Sequence, residues 1–224
     1  MKIIVQCAGR KDRTAGSFLF SGKKVKFVSR PEIAALEKAT DFSYFRPDDV
    51  NPDSGETWRE MLVEYNAAGG NLLHLLPAVD LYGDSIYKAT KHYAAQSRAE
   101  LYILSAGWGL VRAEFLLPDY NITFARQSNI PKYAIRTASV KFNDFNQVRP
   151  AGPEEAVHFF GGKGYLPLFC SLTANLGGRK IIHHHHGLLP IKQESFEYLA
   201  FTPAKPQRKT NWHYECLRRF IERG

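Results

Sequence analysis

The sequence predicts one α/β domain over residues 1–224, with a mixed central sheet flanked by helices. Three observations favour this fold. Short apolar runs bounded by polar residues, typical of buried strands, occur at residues 2–7, 101–104 and 156–160. Segments between them carry apolar residues at helical spacing. The third observation is a strand–helix–strand pattern from Ala156 to His184, typical of parallel strands joined by a right-handed crossover.

The first half of the chain opens with a buried strand and a basic glycine turn, Ala8 to Arg13. Such a turn either presents N–H groups and cations to a phosphate or is a solvated loop. The elements expected next are a hairpin (Ser17–Phe20 and Val25–Ser29), a short helix (Pro31–Lys38) and an irregular connection (Thr40–Ser54). A second helix is expected to be capped by the Asp53/Glu56 pattern and to run to Ala67. A strand (Leu72–Leu76) and a third helix (Asp84–Gln96) follow it.

The second half predicts a basic surface, the strand–helix–strand unit and a basic C-terminus. Residues 125–146 interleave cations, amides and aromatic rings, which fits either a surface that follows a nucleic-acid backbone or a helix with one wet face. The later elements expected are a Pro/Gly hinge (Val148–Pro153), an edge strand (Lys192–Phe201), a basic linker (Pro203–Thr210) and a final helix (Asn211–Arg223).

The stretch from Glu100 to Phe124 is the prime candidate for a site. A buried strand stops at Ser105, and a glycine-rich turn to Gly109 follows it. Ligands of open α/β sheets gather beyond the carboxyl ends of strands, so this turn is expected near a ligand. Ten residues on, Asp119, Tyr120 and Asn121 place a carboxylate, a phenol and an amide side by side. The alternative is an Asp/Asn turn that bonds its own backbone.

Composition narrows the functional classes. The formal charge of +8 and a pI of about 9.4 favour a polyanionic partner if the cations share one face. Three dispersed cysteines predict no disulfide framework and no zinc site, and the short apolar start predicts neither a signal peptide nor a membrane span. We therefore expect a cytoplasmic protein without metal or other cofactor. The run His183 to His186 offers two side chains per strand face, too few for a metal site, and is expected to be a polar strand end.

Three segments resemble one known family. SAGWGLVRAEFLLPDYNITF, beginning at Ser105, is similar to the signature of the YaaA-like peroxide-stress proteins and of related domains in bacterial and phage genomes. The segments IIVQCAGRK from Ile3 and AVDLYGDSIYKA from Ala78 resemble that family's opening strand and helix start, in the same order. The family's turn often lacks the residue before the aromatic-Gly pair, Gly107 here, and its Tyr-Asp order is inverted at Asp119-Tyr120.

This resemblance implies a single α/β domain that binds DNA, with kinship to phage-defence DNA glycosylases that excise modified bases. Base excision needs a carboxylate beneath the cationic sugar, donors for the departing base and rings that receive a flipped base. Asp119, Asp84 or Asp80 supplies the carboxylate in this hypothesis. The expected catalytic residues are Asp119, Asn121 and Asp84. The residues expected to bind the substrate are Cys7, Arg10, Tyr82, Ser105, Gly107, Trp108, Gly109 and Tyr120. The residues expected to bind DNA are Lys11, Arg126, Lys132, Arg136, Lys163 and Tyr165.

The expected partner is therefore DNA, double-stranded with one base flipped out. Two other functions remain open. A DNA-binding protein without chemistry would use the same basic face for protection or structure. An enzyme of nucleoside metabolism would need a closed, neutral pocket and would act independently of salt, whereas DNA binding weakens steeply with salt. A glycine-lysine turn at 161–164 also fits phosphate binding, but it lacks the spacing of a nucleotide-binding loop.

Overall fold

The protein has a mixed α/β fold whose central sheet contains seven strands, which confirms the predicted fold class. The computed structural model describes residues 1–37, 41–188, 193–205 and 210–224. In sheet order, the strands are β10 (Phe145–Asn146), β7 (Gly109–Arg112), β6 (Glu100–Ser105), β1 (Lys2–Gln6), β11 (Ala156–Phe160), β12 (Arg179–His185) and β13 (Glu197–Phe201).

Parallel pairing dominates this sheet. The strand β1 lies between β6 and β11 and is parallel to both, and β11, β12 and β13 continue in the same direction. Only the β6–β7 pair is antiparallel among the neighbouring strands of the described sheet, because a tight turn joins these two strands. The carboxyl ends of β1, β6 and β11 therefore meet at one edge.

Helices cover both faces of the sheet, as the contacts of two successive residues of β11 show. Phe159 stacks on Phe169 of α4 (Leu166–Thr173) at a centroid distance of 4.3 Å. The next residue, Phe160, contacts Phe220 of α5 (Trp212–Arg223) at 5.2 Å. Successive strand residues point to opposite faces, so α4 and α5 lie on opposite sides. The helix α3 (Ser85–Ser97) packs beside α5.

A smaller sheet packs around one tryptophan. The hairpin β2 (Leu19–Phe20) and β3 (Lys23–Val28) is joined by β4 (Phe42–Phe45) and by β9 (Tyr120–Asn121), both parallel to β3. Trp58 begins α2 (Trp58–Ala68) and has no exposed surface. Four rings surround it at centroid distances of 5.1 to 6.4 Å: Phe18, Phe20, Phe27 and Phe45. The remaining elements are α1 (Pro31–Glu37) and the pair β5 (Leu76–Pro77) and β8 (Leu116–Leu117).

Several elements differ from the sequence expectations. Residues 40–54 were expected to be irregular, but they contain β4, because its aromatic residues pair with β3. The cap of α2 is Thr57 in a reciprocal capping box with Glu60, rather than Asp53 with Glu56. Only Leu76 of the expected strand at 72–76 is paired. The helix before β12 ends at Thr173, whereas helix-like residues continue in the sequence to about Asn175. The predicted hairpin, the crossover unit and the edge strand are confirmed.

Parts of four expected elements lie outside the described residues. They are Lys38 at the end of the first helix, Thr40 at the start of the irregular connection, Lys192 at the start of the edge strand and residues 206–209 of the basic linker. Within the described ranges, none of the helices has the length and apolar character needed to cross a bilayer.

Two glycines with positive φ allow a test of how tightly the turn after β6 is packed. Gly109 has φ +87°, and a Cβ there would lie 2.5 Å from the carbonyl oxygen of Phe145. Gly55 has φ +79° with open space around it. We expect Gly55→Ala to cost about 1–2 kcal/mol from backbone strain alone. Gly109→Ala should cost at least about 2 kcal/mol more, because overpacking adds to that strain.

Urea unfolding of the two variants measures this difference. Equal losses of unfolding free energy in Gly109→Ala and Gly55→Ala would contradict the close approach of β10 to this turn.

Candidate functional site

The candidate site lies where the chain leaves β1 in the middle of the sheet. The strand β1 has β6 on one side and β11 on the other. The chain runs from β1 to β6, and later from β11 to β12, so these two connections lead in opposite directions along the sheet. Connections that depart in opposite directions open a crevice at the carboxyl ends of the strands. Cys7 follows β1, the Ala106 turn follows β6, and Gly161 and Gly162 follow β11. Gln6 ties two of these segments, since its Oε1 accepts a hydrogen bond from Gly162 N at 2.6 Å.

Five polar side chains form a connected group under this crevice, which we call the tyrosine cluster: Cys7, Tyr82, Ser105, Tyr120 and Tyr165. Cys7 Sγ lies 3.1 Å from Tyr165 Oη. Tyr120 Oη lies 2.8 Å from Tyr82 Oη and accepts a hydrogen bond from Ser105 Oγ at 2.9 Å. All five side chains are buried. The sequence predicted each of them as a site residue, and the fold brings them together from five separate segments.

Burial keeps the phenols of the cluster neutral. It raises the pKa of Tyr82, Tyr120 and Tyr165 well above the usual value near 10, and the neighbouring Cys7 raises the pKa of Tyr120 and Tyr165 further. The hydroxyl groups therefore exchange hydrogen bonds with one another and carry no charge at neutral pH.

The turn from Ser105 to Gly109 is fixed from both sides of its backbone. Ser105 Oγ accepts hydrogen bonds from the N–H groups of Gly107 and Trp108 at 3.2 and 3.1 Å. Arg59 donates to the carbonyl oxygens of the same two residues, each at 3.1 Å. Arg136 donates to Ala106 O at 2.9 Å. The N–H groups of Gly107 and Trp108, two residues expected to bind substrate, are thus already paired inside the protein.

The two arginines that hold this turn are buried and paired with carboxylates. Arg136 makes a bidentate contact to Asp144 at 2.8 and 2.6 Å, and Arg59 pairs with Asp48. Burial lowers the pKa of Arg59, and Asp48 opposes that shift. The sequence assigned Arg136 to DNA phosphates. The structure instead gives its guanidinium a structural position, with 6% of the side chain exposed.

Trp108 also differs in position from its expected role as a ring that stacks on a base. Its side chain has no exposed surface and lies 5.0 Å from the ring of Phe27 and 6.3 Å, stacked, from Phe145. Arg59 lies over the same indole at 5.3 Å. The tryptophan therefore fills the interface between the two sheets.

Lys11 reaches over the tyrosine cluster from the turn after β1. Its Nζ lies 3.9 Å from the centre of the Tyr120 ring. Its backbone is held by an antiparallel bridge to Tyr82. Burial lowers the pKa of Lys11 to about 8, Lys26 lowers it further, and Cys7 and Asp119 oppose these effects. Among the described residues, the ammonium makes no hydrogen bond or ion pair.

Asp119 lies beside Lys11 and forms an ion pair with Lys26. The pairing follows from strand register, because Phe27 is opposite Tyr120 and the preceding residues are therefore adjacent. The Asp119 side chain is 28% exposed. No hydrogen bond joins its carboxylate to its own turn in the described structure, which argues against the self-bonded Asp/Asn turn. The side chain of the neighbouring Asn121 is half-buried and makes no hydrogen bond within the described residues.

The other two candidate carboxylates form a helix cap and an ion pair near the protein surface. Asp84 is exposed and caps α3, accepting a hydrogen bond from Ile86 N at 3.1 Å. Asp80 pairs with Lys91 at 2.6 Å. Of the three candidates, Asp119 is therefore the one that the structure brings to the tyrosine cluster.

A basic groove borders the cluster. Its volume is about 1010 Å³, and it runs between residues 124–144 on one side and α4 with the loop before it on the other. Arg126, Lys141 and Lys163 are exposed cations in its lining. Phe124 connects the groove to the cluster, since it lines the groove and packs on Tyr165 at 5.0 Å.

Three further predicted residues lie apart from this lining. Lys132 and Arg10 are exposed and contribute nothing to the groove wall. Tyr165, assigned to DNA from the sequence, is buried in the tyrosine cluster instead. Residues 125–146 are mostly irregular, with one 3-10 turn at Lys132–Ala134, so they are not a helix with one wet face.

The histidine run is largely buried. His183 Nε2 lies 3.0 Å from His158 Nδ1, and burial lowers the pKa of His183 to about 3. The stretch of the chain that the structure describes contains no group of three or more His, Cys, Asp or Glu side chains that could hold a metal ion.

Two comparisons with known proteins found no match, and one found a family. No curated protein and no solved structure matches the chain. A model of a family of unknown function, DUF6884, matches residues 68–188, more than half of the sequence. The chain belongs to this family. The matched span of this DUF6884 member includes Tyr82, Ser105, Tyr120 and Tyr165, whereas Cys7 and Lys11 precede it.

Sequence reasoning missed Arg59 and Lys26. Arg59 follows Trp58 in an amphipathic helix, where a surface position is the ordinary expectation for arginine. Lys26 lies in the alternating strand β3 and resembles any outward-facing lysine. Only strand register and tertiary contacts bring these two cations to the site.

The lowered pKa of Lys11 predicts a pH-dependent stability. A folded pKa of about 8, below the unfolded value of 10.5, means that the charged lysine destabilises the fold below pH 8. This cost disappears as the pH rises from 8 to 10.5. We expect Lys11→Met to unfold at higher urea concentration than the wild type at pH 7, with a gap that narrows above pH 8.

The same substitution at the exposed Lys88 is the matched control and should leave the midpoint unchanged throughout. A Lys11→Met protein that is less stable than the wild type at pH 7 would contradict the assigned burial of the ammonium.

Proposed function

We propose that this protein is a DNA base-excision enzyme, an N-glycosylase that removes modified bases, including those of phage DNA, and leaves abasic sites. The main support is the position of Asp119, which pairs with Lys26, precedes Tyr120 of the tyrosine cluster and lies close enough to act electrostatically on Lys11. A carboxylate that can stabilise a sugar cation and unpaired cations that can bind a DNA backbone are two of the features that base excision uses.

Asp119 is the group that would act on the sugar in this proposal. Breaking the glycosidic bond builds positive charge on the sugar, and a carboxylate beneath it stabilises that charge and orients a water molecule. The free amide of Asn121 is placed to donate to the departing base. The carboxylate of Asp119 forms an ion pair with Lys26.

The basic groove is the part that would hold the DNA backbone. Its three exposed cations have no ion-pair partner within the described residues. Phosphate contacts of this kind position the duplex without reading its sequence. Double-stranded DNA with one flipped base is the partner that we propose. A cytoplasmic location belongs to the same proposal, supported by three unpaired buried cysteines.

A DNA-binding protein without chemistry is the second candidate, and one observation favours it. The rings expected to receive a flipped base are closed off, with 1% of Tyr82 and 1% of Tyr120 exposed. If these rings stay buried in the complex, the basic groove alone would bind DNA.

Asp119→Asn separates these two functions. We expect the wild type to release bases from modified phage DNA, detected as strand breaks after alkali or heat. The variant should lose at least about 100-fold in rate, since it removes the charge that stabilises the sugar cation. Its DNA affinity should stay within about twofold of the wild type.

Asp53→Asn is the control, because Asp53 is exposed and distant in sequence from the site. An absence of breaks on every modified DNA tested with the wild type would favour the non-catalytic binder. Equal rates in Asp119→Asn and the wild type would remove Asp119 from the mechanism.

The basic groove predicts a measurable salt dependence. Removing one cation that binds a phosphate should reduce the slope of log affinity against log salt by about 1. We therefore expect Arg126→Gln and Lys163→Gln each to weaken binding to a random duplex and to flatten this slope. Fluorescence anisotropy at several salt concentrations measures both quantities, with Lys88→Gln on α3 as the control. Binding that does not change with salt would instead favour a small-molecule enzyme.

A further inference from the structure

Lys11 differs from the other lysines that are not fully exposed. Lys2 pairs with Glu100 and Glu155, and Lys26 pairs with Asp119. Lys180 donates to the carbonyl oxygens of Thr173 and Ala174. Among the described lysines that are buried or half-buried, Lys11 alone has no polar partner. An amine without a partner, in a crevice, is free to react with a ligand.

The loop that carries Lys11 is held in place on both sides. Asp12 N donates to Leu81 O at 2.9 Å, next to the backbone bridge between Lys11 and Tyr82. The Asp12 carboxylate accepts hydrogen bonds from the N–H and hydroxyl of Thr14 at 2.8 and 2.7 Å. The amine is therefore directed over the Tyr120 ring by a rigid backbone, which is what a reactive group needs.

We propose that Lys11 forms an imine with the aldehyde of a ring-opened abasic sugar, so that the protein also cleaves DNA at abasic sites. This proposal rests on the proposed function for the supply of abasic DNA. An aldehyde is the one strong electrophile that base loss creates in DNA, and a neutral lysine amine is the protein group that condenses with it.

The chemistry balances without any other reagent. The Nζ lone pair attacks C1′ of the aldehyde to form a carbinolamine. The carbinolamine hydroxyl takes up a proton from solvent and leaves as water, which produces a protonated imine. The Asp119 carboxylate then accepts the proton from C2′, the electron pair shifts towards the imine, and the bond between C3′ and its phosphate oxygen breaks. The phosphate leaves on the downstream strand. Water finally hydrolyses the imine and regenerates the amine.

The local environment favours the neutral amine that this reaction requires. Burial lowers the pKa of Lys11 to about 8. About a tenth of the amines would be neutral at pH 7, against less than about a thousandth for an ordinary lysine. The amine lies against the ring of Tyr120, and Lys11 as a whole is half-buried rather than enclosed.

Borohydride trapping on a duplex with one preformed abasic site tests the inference. Borohydride reduces the imine to a stable amine, which links protein and DNA. We expect a covalent adduct with the wild type, at least a tenfold lower yield with Lys11→Met, and an unchanged yield with Lys88→Met. Mass spectrometry should place the link on the peptide that contains Lys11.

An adduct yield in Lys11→Met equal to that of the wild type, or no adduct with the wild type, would overturn the inference. Urea unfolding of Lys11→Met establishes that a missing adduct does not reflect a misfolded protein. Because the abasic site is preformed, the result is independent of base release. An adduct at Lys11 without base release on modified DNA supports the inference and refutes the glycosylase; base release without an adduct does the reverse.

Discussion

Two buried guanidinium groups hold the turn on which the candidate site depends. Arg59 and Arg136 bond the three successive carbonyl oxygens of residues 106–108. Each arginine is itself paired with a carboxylate, which is the condition for placing a charge in a protein interior. Removing one partner of such a pair costs about 3–5 kcal/mol. The orientation of Ser105, and through it of Tyr120, follows from these contacts.

The turn also connects the two sheets. Tyr120 belongs to the smaller sheet through its pairing with β3, yet its hydroxyl bonds to Ser105 at the end of β6 in the central sheet. Trp108 fills the space between them against Phe27 of β3. The same pairing that brings Tyr120 to the cluster aligns Asp119 with Lys26. The carboxylate and the cluster are thus positioned by one strand register.

The sequence predicted the strands and the cluster members better than the directions of their side chains. Apolar runs predict β1, β6 and β11, because a strand that is buried on both faces is apolar at nearly every position. The rule for strand ends placed the glycine turn near a site. Cys7, Tyr82 and Tyr120 were assigned to the site through the family resemblance and the base-excision hypothesis built on it. The inward direction of Trp108 and Arg136 could not be predicted, because it depends on partners from other segments. Arg59, for example, bonds a carbonyl 48 residues away.

The burial of the tyrosine cluster limits which side chains can contact a ligand. Tyr82, Tyr120 and Ser105 have almost no exposed surface, and their hydroxyl groups are satisfied by one another. They form the floor of the crevice. Lys11 and Asp119 remain partly exposed above that floor, and they carry an amine and a carboxylate. Lys11 and Asp119 are therefore the charged groups beside the tyrosine cluster that a ligand can reach, and the half-buried amide of Asn121 is a neutral one.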